Sequence, residues 1–158
     1  MIKRLRNHDG ITLIELLATL AIMSIVSILI YGVLFNGINY SEKSKETVSI
    51  QQEMNILVAK ITKTHESYAS YDIVVNQNPN AKKIQLLGKD ATGKTVRVIE
   101  ISNDDYVYSL FNYKGNSEVP LSTVKTVNTS QPLYIKIIIK NKKKPNQTSE
   151  VKTIISRL

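Results

Sequence analysis

The stretch Gly10-Ile11-Thr12-Leu13-Ile14-Glu15 opens an apolar run that continues to Phe35 and decides the fold of this chain. No charged residue occurs between Leu16 and Ser41, and Leu16–Phe35 alone supplies 20 residues. That is about the length of a helix that spans a bilayer. The residues that follow are polar and of mixed charge. We therefore predict one membrane helix with an extramembrane domain on its C-terminal side.

A short basic leader precedes the apolar run. Residues 1–10 carry Lys3, Arg4 and Arg6 against one acid, Asp9. Basic residues that flank a membrane helix stay in the cytoplasm, so the N-terminus is expected inside and the residues after about 40 outside. The run exceeds the roughly 7–15 apolar residues of a secretory signal peptide, and no small-residue cleavage site follows it. An ordinary signal anchor would explain the charge and the length, but not Glu15.

Glu15 is the one carboxylate at the entrance to this run. A carboxylate inside an apolar helix costs a few kcal/mol on insertion scales, and it normally marks a function or a partner. A paired charge is far cheaper to bury than a lone one, so Glu15 is expected to have a positively charged partner.

The motif from Gly10 to Glu15, after a short basic leader, resembles the cleavage and methylation site of type IV prepilins and pseudopilins. The resemblance implies that a membrane peptidase cuts between Gly10 and Ile11 on the cytoplasmic face and that Ile11 is then N-methylated. Such a cut leaves an α-amino group on Ile11, about one helical turn from Glu15, and the two charges could pair within one subunit or between neighbouring subunits. The resemblance implies the pairing between neighbouring subunits, which sets the register of filament assembly. The family usually has Phe where this chain has Ile11.

The helix is expected to continue beyond the membrane to about Glu66, because no proline occurs before Pro79. Apolar residues spaced for one face of a helix then follow, and this face is expected to pack on the core of the domain: Ile50, Met54, Leu57, Val58 and Ile61. The domain prediction is a leader (1–10), a transmembrane helix (11–40) and an extracytoplasmic pilin-like head (41–158). The head includes the C-terminal half of the long helix.

Strand patterns and turn signals fill the rest of the head. Strands are predicted at Lys83–Leu87, Thr95–Ser102, Tyr106–Tyr113, Leu133–Lys140 and Glu150–Arg157, with spacings typical of antiparallel hairpins. Residues 119–132 are expected to be loop with at most one edge strand. The fold class is α+β: a long N-terminal helix, half transmembrane and half amphipathic, packed on an antiparallel sheet of about four or five strands.

Two turns resemble ligand sites. The stretch Gly88–Thr95 matches the phosphate-binding pattern G-x4-G-K-[ST], but a strand pattern follows it where a phosphate loop requires a helix. We interpret it as a hairpin turn. Asn103-Asp104-Asp105, with Asp72 or Asp90, has oxygen ligands of the kind that calcium prefers. Adjacent acids in a turn are more often simply solvated, so no metal and no cofactor is predicted.

Charge and composition limit the kinds of binding site and chemistry that the head can have. The net charge is +8, and the excess lies beyond residue 80. Its densest cluster is a possible site for DNA or another anion, although no aromatic platform is interleaved with it: Lys140, Lys142, Lys143 and Lys144. The chain has no cysteine, which excludes disulfides and thiolate chemistry. No catalytic set of residues is evident, so an enzyme is not expected.

Two functional hypotheses follow. In the first, the chain is a structural subunit of a type IV pilus-like or pseudopilus filament that serves secretion, DNA uptake or adhesion. A minor subunit is favoured over a major one. Its partners would be other pilin or pseudopilin subunits, the prepilin peptidase and methylase, and the membrane, crossed once. The assembled filament would lie at the cell surface. In the second, the chain is a monomeric membrane-anchored module whose basic head binds DNA or an acidic surface polymer.

Overall fold

The computed structural model of this protein describes residues 12–75, 83–115, 117–121 and 123–157. These residues form one helix, α1 (Leu13–Ser67), followed by eight strands. The strands are β1 (Ser70–Val75), β2 (Lys83–Lys89), β3 (Thr95–Ser102), β4 (Tyr106–Lys114), β5 (Ser117–Pro120), β6 (Thr123–Asn128), β7 (Leu133–Asn141) and β8 (Thr148–Ile155). The chain divides into two compact units, residues 1–45 and 46–158.

The second unit contains the amphipathic part of α1, and its apolar face is buried as predicted. Ile50, Met54, Leu57 and Ile61 belong to the hydrophobic core, and Val58 packs against it. The end of the helix is closed by Thr129, whose hydroxyl donates to the carbonyl groups of residues 68 and 69, each at 2.9 Å. These carbonyls belong to the two residues that connect the helix to β1.

The strands form two antiparallel sheets. The first sheet has the order β3-β2-β1-β6, and the second has the order β5-β4-β7-β8. In β7 the alternate residues Leu133, Ile135, Ile137 and Ile139 are buried, as the two-residue period of a strand requires. These side chains form one hydrophobic cluster with buried residues of the first sheet and of α1.

The α+β, pilin-like class is therefore confirmed, while the sheet arrangement differs from the single sheet of about four or five strands that was predicted. The predicted strand positions hold, but β3 and β4 do not pair with each other. Each belongs to a different sheet. Glu53 of α1 holds the segment in which the chain passes from the first sheet to the second. Its carboxylate accepts hydrogen bonds from Asn103 Nδ2 at 3.2 Å and from Tyr108 Oη at 2.5 Å.

Three strands account for the larger strand number. β1 has Asp72 in its middle, which breaks the apolar pattern, and Lys89 compensates this carboxylate with an ion pair of 2.7 Å. β5 and β6 are short edge strands. β6 lies within residues 119–132, which were expected to be mainly loop, and β5 enters that segment with its last two residues. An edge strand forms ladder bonds on one side only, so its sequence is less constrained than that of a central strand.

Candidate functional site

The start of α1 positions the carboxylate of Glu15. Glu15 Oε2 accepts hydrogen bonds from the backbone N–H and from the hydroxyl of Thr12, both at 2.9 Å. The N–H of Glu15 in turn donates to Thr12 Oγ1 at 3.3 Å. The carbonyl of Thr12 accepts the first helical bond, from Leu16 N–H. Thr12 is thus the N-cap of the helix, and Glu15 completes a reciprocal capping box.

This capping box was missed in the sequence, although its signal is present. Thr12-Leu13-Ile14-Glu15 fits the pattern [ST]-x-x-[DE] before an apolar run. The box holds the Glu15 carboxylate over the helix N-terminus, where the helix dipole favours negative charge. Glu15 therefore has a structural role within its own chain besides the pairing role implied for it.

The helix after Glu15 presents an apolar surface that the described part of the chain does not cover. Every side chain from residue 12 to residue 45 is exposed. Three hydroxyl groups within this stretch donate to carbonyls of the helix itself: Thr19 to Leu16 at 2.8 Å, Ser24 to Leu20 at 2.8 Å and Ser27 to Met23 at 2.7 Å. Such self-satisfied polar groups suit a helix that lies in lipid. By length and composition α1 is able to cross a membrane.

Comparison with known families identifies this N-terminal segment. Residues 5–31 match the family described as the Prokaryotic N-terminal methylation motif. The match covers the N-terminal segment alone, and it supports the type IV prepilin and pseudopilin family for this chain. No curated protein and no solved structure matches the chain.

The prepilin-type segment, residues 5–31, indicates a structural protein, and it implies other pilins and a prepilin peptidase as partners. Together with the single apolar helix it supports anchoring in a membrane. The predicted cleavage pair, Gly10 and Ile11, lies outside the described residues. Glu15, four residues after Ile11, is the part of the predicted site for which the structure gives a geometry.

In the head of this prepilin-like chain, the predicted anion cluster lies at the β7–β8 turn. Two of its lysines are in ion pairs: Lys143 Nζ lies 3.0 Å from Asp105 Oδ1, and Lys144 Nζ contacts the Glu46 carboxylate. Gln147 also donates to Glu46, and the hydrogen bonds from Lys144 and Gln147 lower the pKa of that carboxyl. Lys140 and Lys142 are exposed. The four lysines are therefore partly used to hold the turn against α1 and the β3–β4 turn.

The stretch that resembles a phosphate loop is the turn between β2 and β3, as interpreted from the sequence. Asp90 organises it, because Asp90 Oδ1 accepts hydrogen bonds from Thr92 Oγ1 at 2.6 Å, Thr92 N–H at 2.9 Å and Lys94 N–H at 3.0 Å. These bonds lower the pKa of Asp90. Gly93 has φ +82°, which glycine adopts without steric cost. The loop is therefore stabilised by hydrogen bonds to its own Asp90 side chain, and a strand follows it.

The acidic turn at Asn103–Asp105 is likewise tied to neighbouring groups. Asn103 Oδ1 accepts the Asp105 N–H at 3.0 Å, and Asp105 pairs with Lys143. Asp72, considered above as a further ligand, is bound to Lys89 and Thr126. Within the described ranges no group of three or more histidine, aspartate or glutamate side chains is placed to hold a metal ion.

Proposed function

We propose that this chain is a subunit, and specifically a minor subunit, of a type IV pilus-like or pseudopilus filament. It is made as a prepilin, cleaved after Gly10 and N-methylated on Ile11. The observation that carries the proposal is the position of Glu15: the prepilin-type segment places it at the start of an exposed apolar helix, where Thr12 fixes its carboxylate. The filament serves secretion, DNA uptake or adhesion.

Cleavage after Gly10 would remove the basic leader and leave an α-amino group on Ile11. A carboxylate at the helix start can neutralise such a group, and the N-methylated amine keeps its positive charge. When helices of several subunits pack side by side in a filament core, a buried carboxylate needs this partner. Glu15 would then pair with the α-amino group of the neighbouring subunit, and the pair would set the register between subunits.

We propose the domain boundaries that were predicted from the sequence. The leader (1–10) lies in the cytoplasm, residues 11–40 cross the membrane once, and the head (41–158) lies outside. The basic leader supports this orientation. After assembly the filament lies at the cell surface. A monomeric module that binds DNA through the basic turn is less well supported, because Lys143 and Lys144 already have carboxylate partners.

Three variants separate the capping role of Glu15 from its pairing role. Glu15→Gln keeps an acceptor oxygen for the Thr12 capping bonds, since glutamine also serves in capping boxes, but it removes the charge. Glu15→Asp keeps the charge and shortens the side chain. Thr12→Ala, the matched control, removes the cap at a cost of about 1 kcal/mol and keeps the carboxylate.

The assay measures processing by mobility on a gel and incorporation by immunoblot of sheared filaments. We expect all three variants to be cleaved. Thr12→Ala should still enter the filament fraction, Glu15→Asp should enter it in part, and Glu15→Gln should be lost from it. Normal incorporation of Glu15→Gln would show that the charge is not used in assembly and would contradict the proposed function.

A further inference from the structure

A cleft of about 510 Å³ lies at the seam where the two sheets of the head meet. One wall is formed by residues 125–128 of β6, the edge strand of the first sheet. The other wall is formed by Asn112 and Tyr113 of β4 and by Leu133 and Tyr134 at the start of β7. We call this space the seam cleft. Its volume is in the range of sites that bind small ligands or short peptide segments.

The wall from β6 is a backbone edge and not a side-chain face. Successive side chains of a strand point to opposite faces, so four consecutive residues line one cavity only if the cavity runs along the strand's edge. Among the described residues β6 pairs with β1 alone. On its other side every second N–H and C=O points away from the sheet. The seam cleft therefore follows roughly 13 Å of this edge. At its end the Asn128 carbonyl already accepts the Gln131 N–H at 3.3 Å, within the turn that follows β6.

The opposite wall opens because β4 and β7 separate at this end. Their last paired residues are Asn112 and Ile135, and beyond them β4 pairs only with β5. Tyr113 and Tyr134 lie edge to face across this opening, with ring centroids 5.8 Å apart. Both tyrosines line this end of the cleft.

Lys125 is the unusual residue of the seam cleft. In the register of the first sheet it lies beside Ile73, which is fully buried, so Lys125 occupies a core-facing position of β6. It is half-buried, and burial lowers the pKa of its ammonium group. Within the described residues it has no carboxylate within 4 Å. A partly desolvated cation at the wall of a cleft is stabilised when a ligand supplies the missing anion.

We propose that the seam cleft binds an acidic peptide segment in extended conformation. The segment adds, through its backbone, to the edge of β6 that the described strands leave unpaired, and it pairs a carboxylate side chain with Lys125. Strand addition to an exposed sheet edge is a recurrent mode of peptide recognition, in which the backbone supplies affinity and the side-chain pockets supply specificity.

A peptide suits this cleft better than a saccharide does. The edge of β6 presents donors and acceptors at the repeat of a strand, and a peptide backbone has the same repeat. An inward-facing lysine on an edge strand also discourages pairing with other strands. Lys125 thus selects among segments: it admits one that carries a carboxylate and disfavours one that is neutral or basic. The proposal does not depend on filament assembly.

The probe is an array of fluorescent pentapeptides of alternating apolar and polar residues, with Glu, Gln or Lys at the central position. The full-length protein in detergent micelles is titrated with them, and binding is read as fluorescence anisotropy. Lys125→Met removes the cation from the cleft, and Lys125→Arg keeps it. Lys142→Met, in the exposed turn between β7 and β8, is the matched control, since it removes a charge elsewhere on the head.

We expect peptides with central Glu to bind more tightly than their Gln and Lys counterparts. Lys125→Met should weaken the best Glu peptide about tenfold or more, the size of a charge-assisted hydrogen bond, and should abolish the preference for Glu over Gln. Lys125→Arg and Lys142→Met should retain that preference. Two N-methylated versions of the peptide are compared, one methylated on the odd and one on the even backbone nitrogens. Only one of them should fail to bind, because only one set of N–H groups faces β6.

Several results would overturn the proposal. They are absence of binding across the array, equal binding of Glu and Lys peptides, wild-type affinity in Lys125→Met, or unchanged affinity for both N-methylated versions of the peptide. Polygalacturonate that binds in a Lys125-dependent way while the peptides do not would assign the cleft to an acidic saccharide instead. The urea midpoint of Lys125→Met controls for folding, and we expect it to be no lower than that of the wild type.

Discussion

Leu57 lies on the face of α1 that packs into the head, and its side chain is 0% exposed. Ile56, the preceding residue, is on another face of the same helical turn and is 48% exposed. Replacing each residue with alanine removes a similar aliphatic group from the buried and from the exposed side of the helix. The pair tests whether this part of α1 forms the core of the head.

The expected magnitudes follow from the burial of the two side chains. A fully buried Leu→Ala change costs about 2–5 kcal/mol, since the loss of apolar transfer free energy is joined by the cost of a cavity. That raises the unfolded fraction by about 30-fold to a few thousand-fold. Ile56→Ala should change the free energy of unfolding by about 0.5 kcal/mol or less, partly because alanine favours the helix.

The assay is urea unfolding of the full-length protein in detergent micelles, followed by the near-ultraviolet circular dichroism of its tyrosines. With a slope of about 2 kcal/mol per molar urea, Leu57→Ala should lower the midpoint by about 1 to 2.5 M. Ile56→Ala should leave the midpoint nearly unchanged. Equal midpoints for the two variants would refute the assignment of this helix face to the core.

Two further predictions concern the end of α1 and the strand beside it. The pKa of His65 is lowered by burial and by the charge of Arg157, against the opposing effect of Glu66; the unfolded state therefore binds the proton more readily, and the urea midpoint should fall as the pH drops below about 6.5. His65→Gln should weaken this dependence, and an unchanged pH profile would contradict it. A methyl group on Gly88 would lie 2.7 Å from the ring of Tyr68, so Gly88→Ala should destabilise the head by about 1–3 kcal/mol. Tyr68→Leu should relieve part of that cost, and a neutral Gly88→Ala would show that the ring moves freely.

The sequence predicted the elements whose patterns are strong and local. The apolar run, the helical spacing of Ile50 to Ile61 and the turn signals around Asp90 each report on neighbouring residues, and the corresponding helix, buried face and hairpin are present. The capping box of Thr12 and Glu15 was also present in the sequence, but its pattern was interpreted only as a processing and assembly motif.

Features set by distant contacts could not be predicted in this way. The division into two sheets depends on which strands pair, and the contacts of Glu53 with Asn103 and Tyr108 link residues about fifty positions apart in the chain. Lys125 illustrates the same limit. In the sequence it is one lysine among many, and only the register of β6 against β1 shows that it faces the core.

The mature N-terminus decides whether this chain is processed as a prepilin. The protein is isolated from cells that have a prepilin peptidase, and its N-terminal sequence and intact mass are determined. We expect a chain that begins at Ile11 and carries one methyl group on its α-amino nitrogen. A mature protein that retains Met1, or that has been cut after residue 30, would contradict it.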